Sequence, residues 1–129
     1  MPLVKIETRK SWSASQKIKI MDAVHSAMRM ALKIPENDRD IRFQEYHPGD
    51  YQVSPDKTQN YTLIEISMFS GRSLQAKKEL YQRIVANLGK LGILAGDVFI
   101  VLHEVPLENW GTRGGIPASE VDLGFKIGV

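Results

Sequence analysis

The feature that most constrains the fold of this chain is an internal repeat. LVKIE at residues 3–7 is followed by a helix-like segment that starts at Ser13, and LIEIS at residues 63–67 is followed by a similar segment from Ser73. A further apolar stretch closes each half, so a strand–helix–strand unit occurs twice, at about residues 2–46 and 61–104. The two strands of such a unit run parallel and need a crossover helix, and crossovers of this kind are nearly always right-handed.

The second strands of the two units align after a shift of one residue. The shift places Asp38 over Asp97 and Glu45 over Glu104. The match between the halves therefore includes charged positions as well as the apolar pattern.

Each unit contains one amphipathic helix. The first helix is predicted to begin after Ser13, where Gln16 completes a capping box, and to end before Pro35. The second is predicted to run from Ser73 to Gly92. The two apolar stripes are Ile20, Met21, Val24, Met28 and Leu32 in the first helix, and Leu80, Tyr81, Ile84, Leu88 and Leu91 in the second. Stripes at this spacing face a sheet or another helix.

Two such units side by side predict an α/β (α+β) fold, with a four-stranded sheet and both helices on one face. We expect one domain of residues 1–129, with a loop at 47–60 and a tail at 105–129. The tail is rich in glycine and is predicted to be irregular, except for one short strand near VDLGFKI at residues 121–127. The face without helices carries apolar side chains, so we expect other subunits to bury it.

Composition excludes several classes of protein and site. Lys and Arg total 17 and Asp and Glu total 15, a near balance that argues against binding to nucleic acid or to a membrane surface. The absence of cysteine excludes disulfides, thiolate metal sites and cysteine nucleophiles. The three histidines are dispersed, so no metal site is predicted and no cofactor is expected. No signal peptide or membrane span is recognisable, and a cytoplasmic location is expected.

Several motifs make the chain resemble the tautomerase superfamily. The first β-α-β unit begins directly after Met-Pro, and PLVKIE, DAVHSAM, IPENDR and YHPGD follow the order and spacing of the malonate semialdehyde decarboxylase subgroup. GRS before the second helix and NWGTRGG in the tail are also similar. The resemblance covers essentially the whole chain. It implies an enzyme for a small carboxylate-bearing substrate and a homotrimer in which the tail reaches a neighbouring subunit.

Pro2 is the first candidate catalytic residue. A small second residue permits removal of Met1, and the resemblance implies that the freed proline amine is the catalytic group. A buried amine flanked by cations loses affinity for its proton and can act as a general base, whereas a protonated amine can polarise a carbonyl as a general acid. The alternative is a proline that only stiffens the start of a strand.

Arg72 and Asp38 are the candidate partners of Pro2. Arg72 lies at a loop-to-helix junction, where a guanidinium beside helix N–H groups suits a carboxylate. The resemblance implies that Arg72 binds the substrate carboxylate and lowers the proton affinity of Pro2, and that Asp38 orients Pro2 or a water. The alternatives are a solvated surface arginine and an Asx turn.

The remaining candidates depend on how the chain departs from the decarboxylase subgroup. That subgroup has two arginines in the loop before the second helix, and Ser70 occupies the position of the other one. Arg113 is a candidate for the missing second cation. Trp110 is a candidate pocket wall or interface anchor, while Thr112 replaces a phenylalanine, so the pocket should differ. His25 matches a histidine of the subgroup, but a lone helical histidine is more often a packing residue.

These residues support three hypotheses about function. The first is keto–enol tautomerisation of a small 2-oxo acid, with Pro2 as the base. The second is decarboxylation or hydration of a 3-oxo acid such as malonate semialdehyde, with a protonated Pro2 as the acid. The third is a non-catalytic, ligand-binding member of the fold, which retention of Met1 would favour.

Overall fold

The computed structural model describes residues 2–125 and 127–128. The two repeated units supply the main elements, and a short hairpin follows in the tail. In chain order the elements are β1 (Pro2–Thr8), α1 (Ala14–Leu32), β2 (Ile41–Glu45), β3 (Thr62–Phe69), α2 (Leu74–Gly89), β4 (Val98–Val105), β5 (Gly111–Thr112) and β6 (Ile116–Pro117).

The first four strands form one mixed sheet in the order β2-β1-β3-β4. Strands β1 and β2 are parallel, β3 and β4 are parallel, and β1 is antiparallel to β3. Val4 pairs with Ile41, and Ile64 pairs with Ile100. These two pairs are equivalent after the one-residue shift seen in the sequence, so the structure confirms the predicted repeat and the predicted four-stranded sheet.

The helix starts follow the sequence closely. The Ser13 hydroxyl accepts from the Gln16 N–H at 3.2 Å, and the Gln16 side-chain oxygen accepts from the Ser13 N–H at 3.0 Å, which completes the capping box. The Ser73 hydroxyl likewise accepts from the Ala76 N–H, at 3.1 Å. These bonds satisfy N–H groups that have no partner inside the helix.

The helix ends differ slightly from the prediction. Helix α1 ends at Leu32 because Lys33 adopts the left-handed conformation, with φ of 58°, before Pro35 is reached. Helix α2 ends at Gly89 rather than Gly92, since the backbone turns over residues 90–92 and Gly92 has φ of 89°.

Both helices cover the same face of the sheet and pack against each other. The Asn87 side chain of α2 donates to the Ala23 carbonyl of α1 at 3.0 Å. The core between helices and sheet consists mainly of aliphatic side chains that are at most 2% exposed: Val4, Ile6, Ile20, Val24, Met28, Leu32, Ile64, Ile66, Met68, Leu80, Ile84 and Leu88. Met21, Tyr81 and Leu91, predicted in the same stripes, are only half-buried.

The opposite face of the sheet mixes charged and apolar side chains. Lys5 lies 3.5 Å from Glu7, and the His103 Nε2 lies 3.0 Å from Glu65. Phe99 on the edge strand β4 is 53% exposed in the single chain. Polar and apolar side chains are thus interspersed on this face, and edge strand β4 carries both His103 and Phe99, so the face is less uniform than the sequence pattern predicts.

The tail corrects one prediction. The expected strand near residues 121–127 is absent from 121–125, which are irregular, and Lys126 lies outside the described residues. The tail strands are instead β5 and β6, an antiparallel pair in which the Thr112 hydroxyl donates to the Ile116 carbonyl at 3.1 Å. Gly114 and Gly115 supply the positive φ angles that the turn between β5 and β6 requires. Within the described part of the chain, no helix has the length and apolarity needed to cross a membrane.

Candidate active site

The predicted site residues gather at one end of the sheet, where β1 begins and β3 ends. Pro2 is buried and lies opposite Met68 in the antiparallel register. The Val4 N–H donates to the Asp40 carbonyl at 2.9 Å, which holds the segment before β2 beside the start of β1. Met1 lies outside the described residues, so the prediction that it is removed stays a prediction.

A cavity of about 450 Å³ opens at this end. Its polar wall comes from Asp38 and from the hairpin residues Thr112 and Arg113. Its apolar wall consists of Phe69, Val121, Leu123 and Phe125. The cavity therefore offers one carboxylate and one guanidinium in a largely apolar surrounding, which is a suitable environment for a small organic acid.

Asp38 is positioned by a turn that leaves its side chain on the cavity wall. The backbone N–H of Asp38 donates to the Pro35 carbonyl at 3.1 Å. The residue is half-buried. The turn at this point thus uses the main chain of Asp38, and the residue lines the cavity together with Arg113.

Arg72 lies at the same end of the sheet but behind the cavity wall. Its Nη1 donates to the Leu32 carbonyl at the end of α1, and its guanidinium carbon is 5.8 Å from the ring centroid of Phe125. The residue is only 8% exposed, and burial lowers the pKa of its guanidinium from the ordinary value. Arg72 still carries its charge at neutral pH, so it places a positive charge under a cavity-lining ring.

Ser70 and Trp110 support the wall from outside. The Ser70 N–H donates to the Val105 carbonyl at 3.1 Å, and the Trp110 indole N–H donates to the same carbonyl at 3.0 Å. The Trp110 ring packs edge-on against Phe69, with ring centroids 5.0 Å apart. Within this chain Trp110 therefore fixes Phe69 rather than lining the cavity itself.

Arg113 occupies the cavity directly and is held by the tail. Its backbone is left-handed, with φ of 46°, and its Nη2 donates to the Asp122 carbonyl at 2.9 Å. The bond ties the β5–β6 turn to residues 121–125, and the exposed Arg113 lines the cavity at this point.

His25 lies away from the cavity. It is 3% exposed, and its Nε2 is 3.0 Å from the Glu36 carbonyl. The side chain links α1 to the loop that leads to Asp38, which fits the packing alternative of the sequence analysis. Among the described residues, no three His, Asp or Glu side chains come close enough together to hold a metal ion.

The apolar wall was missed in the sequence, although a signal for it exists. Val121, Leu123 and Phe125 alternate with polar or small residues, a pattern that predicts a strand. The alternation instead places three apolar side chains on the cavity. Ile127 lies instead beside Gly71, where an added Cβ would be 3.1 Å from its side chain.

Known proteins resemble this chain in both sequence and structure. A family model described as a tautomerase enzyme matches residues 38–113, and a second with the same description matches residues 2–59. The structure of the FG41 malonate semialdehyde decarboxylase inhibited by 3-bromopropiolate is 26% identical, with a TM-score of 0.81 over 89% of this chain and 92% of that one.

Two further structures extend the comparison. Another malonate semialdehyde decarboxylase, studied in wild-type, proline-to-alanine mutant and inactivated forms, is 25% identical, with a TM-score of 0.80 over 87% of this chain and 92% of that one. A native fused 4-OT shares the fold at 14% identity, with a TM-score of 0.82 over 95% of this chain and 99% of that one. The predicted resemblance to the decarboxylase subgroup is confirmed. Because the first family model spans more than half of the sequence, this chain belongs to the tautomerase family of enzymes.

Proposed function

We propose that the protein catalyses keto–enol tautomerisation of a small 2-oxo acid, with the amine of Pro2 as the general base after removal of Met1. The observation that carries this proposal is the cavity beside the end of β3, which combines Asp38 and Arg113 with an apolar wall and which Pro2 itself does not line. Pro2 is buried at the same end of the sheet.

The chemistry that we propose starts with the neutral amine. Burial and nearby cations disfavour its protonated form, so it can accept a proton near neutral pH. The nitrogen of Pro2 takes a proton from the carbon next to the keto group, and the C–H electron pair forms the enolate. The proton held by Pro2 then passes to the enolate oxygen, which gives the enol and restores the neutral amine, and the reverse sequence returns the keto form.

Two arginines support the negative charge of the substrate and of the enolate. Arg113 lines the cavity and is proposed to contact the substrate carboxylate directly. Arg72, buried beneath Phe125, adds a fixed positive charge that stabilises the enolate and reaches the carboxylate if Phe125 is displaced. Asp38 is proposed to orient the amine or a water.

We also propose that the protein works as a homotrimer in which each tail contacts a neighbouring subunit. One fused 4-OT with this fold is described as a symmetric trimer. The exposed Phe99 on the edge strand, and Leu94 at 68% exposure just before it, are apolar groups that such an assembly would bury.

Decarboxylation or hydration of a 3-oxo acid is the second candidate, because two structural neighbours at 26% and 25% identity are decarboxylases. That reaction needs a protonated Pro2, whereas tautomerisation needs a neutral one. A pH profile separates them: a rate that falls as the pH drops through the amine pKa indicates a base, and a rate that falls as the pH rises indicates an acid.

The decisive experiment combines intact mass with a proline exchange. Pro2→Ala is compared with Pro55→Ala, which changes an exposed loop proline, using phenylenolpyruvate as the substrate. We expect a wild-type chain lighter by one methionine, a loss of turnover of about 10²-fold or more in Pro2→Ala, and no loss in Pro55→Ala. Retained Met1 with full activity, or full activity of Pro2→Ala, would rule out the Pro2 mechanism. Retained Met1 without activity would favour the non-catalytic alternative.

A further inference from the structure

A second cavity lies at the opposite end of the sheet from Pro2. It has a volume of about 600 Å³ and lies between the segment after β1, the segment after β2 and the segment before β3. Arg9 and Lys10 line it from the first of these, His47 from the second and Lys57 from the third. Strand β1 has seven residues, so roughly 20 Å of strand separates this cleft from Pro2.

The internal repeat relates this cleft to the candidate active site. Pairing of Pro2 with Met68 and of Thr8 with Thr62 shows that β3 begins where β1 ends. In the repeat, residues 9–12 of the first unit are equivalent to residues 69–72 of the second. The cleft is therefore formed by the loop of the first unit that corresponds to the active-site loop of the second.

The cleft lacks the groups that the proposed chemistry needs. The repeat puts Thr62, an internal residue without a free amine, in the place of Pro2, and Trp12 in the place of Arg72. Asp97, the counterpart of Asp38, is buried and accepts from both the N–H and the hydroxyl of Thr58. We therefore do not expect proton transfer by an amine at this end.

Cationic side chains outnumber carboxylates among the residues that line the cleft. Its one carboxylate, Glu45, is paired with Lys17 at 2.8 Å and accepts from the Trp12 N–H. Arg9 and Lys10, in contrast, form no ion pair with any carboxylate in the described ranges 2–125 and 127–128.

Several polar groups in the cleft loops still require an acceptor. Arg9 donates through Nη2 to the Pro48 carbonyl at 3.4 Å, but its Nε is buried and has no hydrogen-bond partner among the described residues. The Nδ1 of His47 accepts from the Gly49 N–H at 3.0 Å, so the other ring nitrogen is a donor. Buried donors without partners are uncommon and are usually satisfied by water or an ion.

We propose that this cleft binds a small anion that carries at least two negative charges, at a site derived by the internal repeat from the same architecture as the active site. Arg9 and Lys10 bind the charged groups of the ligand, and His47 and Lys57 lie on the other walls. The shared chemistry is that of polycarboxylates and phosphate compounds, whose several oxygens accept hydrogen bonds from cationic side chains.

The test is calorimetric titration of the full chain with citrate and, separately, with inorganic pyrophosphate, at constant ionic strength set with sodium chloride. Arg9→Gln and Lys10→Gln remove the cleft cations, and Lys78→Gln removes an exposed cation of α2 as a matched control. We expect one anion per chain to bind. Each cleft variant should weaken binding about tenfold. Lys78→Gln should bind the anion as tightly as the wild type does, and all three variants should turn over phenylenolpyruvate at the wild-type rate.

The two probes also identify the source of the anion. Tighter binding of citrate indicates a carboxylate ligand and tighter binding of pyrophosphate a phosphate ligand, and both support the site. Absence of binding by either probe overturns the proposal. It is also overturned if Lys78→Gln weakens binding equally, or if Arg113→Gln rather than Lys10→Gln abolishes it. Should Arg9→Gln fail to fold, Lys10→Gln alone decides.

Discussion

The guanidinium of Arg72 lies under the ring of Phe125, with 5.8 Å between the guanidinium carbon and the ring centroid. Arg72 is 8% exposed and Phe125 lines the cavity, so a residue of the tail separates the buried cation from the space that a substrate would occupy. Cation–π contacts are stronger where solvent is excluded. The contact therefore helps to fix residues 121–125 over the site although they form no strand.

Replacing Phe125 with alanine is predicted to raise the KM for an aryl-bearing 2-oxo acid by about tenfold, because part of the apolar wall is lost. Phe125→Leu keeps most of the apolar surface and should recover most of the affinity. Steady-state kinetics on both variants measures the effect. A KM unchanged in Phe125→Ala would mean that the substrate does not contact this wall.

Asp38→Asn is predicted to lower kcat/KM by about tenfold or more, since the carboxylate that orients the amine is lost while the turn formed by the Asp38 N–H is kept. A nearby carboxylate also stabilises a protonated amine. Its removal should therefore move the acidic limb of the pH–rate profile to lower pH. The exposed neighbour Asp40 provides the control: Asp40→Asn should leave both the rate and the limb in place. If the acidic limb of the pH–rate profile does not move in Asp38→Asn, Asp38 has only a structural role.

The sequence predicted the fold through signals that are local or repeated. Ser13 and Ser73 cap their helices as expected, because a cap depends on residues only three positions apart. The equivalent pairs Val4–Ile41 and Ile64–Ile100 follow from the repeat itself. The Lys17–Glu45 ion pair likewise has a counterpart in Lys77–Glu104.

The arrangement of the site could be predicted only in part. Asp38 and Arg113 share a cavity, but Arg72 lies behind it and Trp110 packs on Phe69. These differences depend on where the tail folds back onto the rest of the chain. No short sequence pattern predicts the course of the tail. The alternation at 121, 123 and 125 is equally consistent with a paired strand and with an irregular segment lining a cavity.

Tyr51 is predicted to ionise well above an ordinary phenol. Burial, followed by the proximity of Tyr61, raises its pKa from 10.0 to about 12. The folded state then keeps the phenolic proton that the unfolded state releases near pH 10. The stability from this group is complete below pH 10 and is lost as the pH rises from 10.0 to about 12. Alkaline denaturation of Tyr51→Phe should therefore be less steep over that range than denaturation of the wild type.

Spectrophotometric titration provides the direct measurement for Tyr51. The pKa values of Tyr46, Tyr51 and Tyr61 are all raised, so three of the four tyrosines should ionise late in the folded wild type. The amplitude of this late phase should fall by one tyrosine in Tyr51→Phe. Tyr81→Phe, on helix α2, is the comparison variant, because it changes the number of tyrosines without touching the Tyr46–Tyr51–Tyr61 group. A late phase whose amplitude is unchanged in Tyr51→Phe would contradict the assignment.

Glu45 is predicted to make stability fall in acid. Burial raises its pKa, but the hydrogen bonds from Lys17 and from the Trp12 N–H outweigh burial and leave the pKa below the ordinary value of 4.5. The folded state thus favours the carboxylate more than the unfolded state does. The resulting stability is complete above about pH 4.5 and is lost as the pH falls through the lower pKa of the folded protein.

Glu45→Gln should reduce the free energy of unfolding by about 1 kcal/mol at pH 7, because the amide cannot replace the charged pair with Lys17. Urea unfolding of the variant and the wild type between pH 7 and pH 3 measures the difference, and Glu108→Gln, at an exposed position, serves as the control. The two free energies should converge as Glu45 becomes protonated. A difference that stays constant down to pH 3 would show that the lost stability comes from packing rather than from the charge of Glu45.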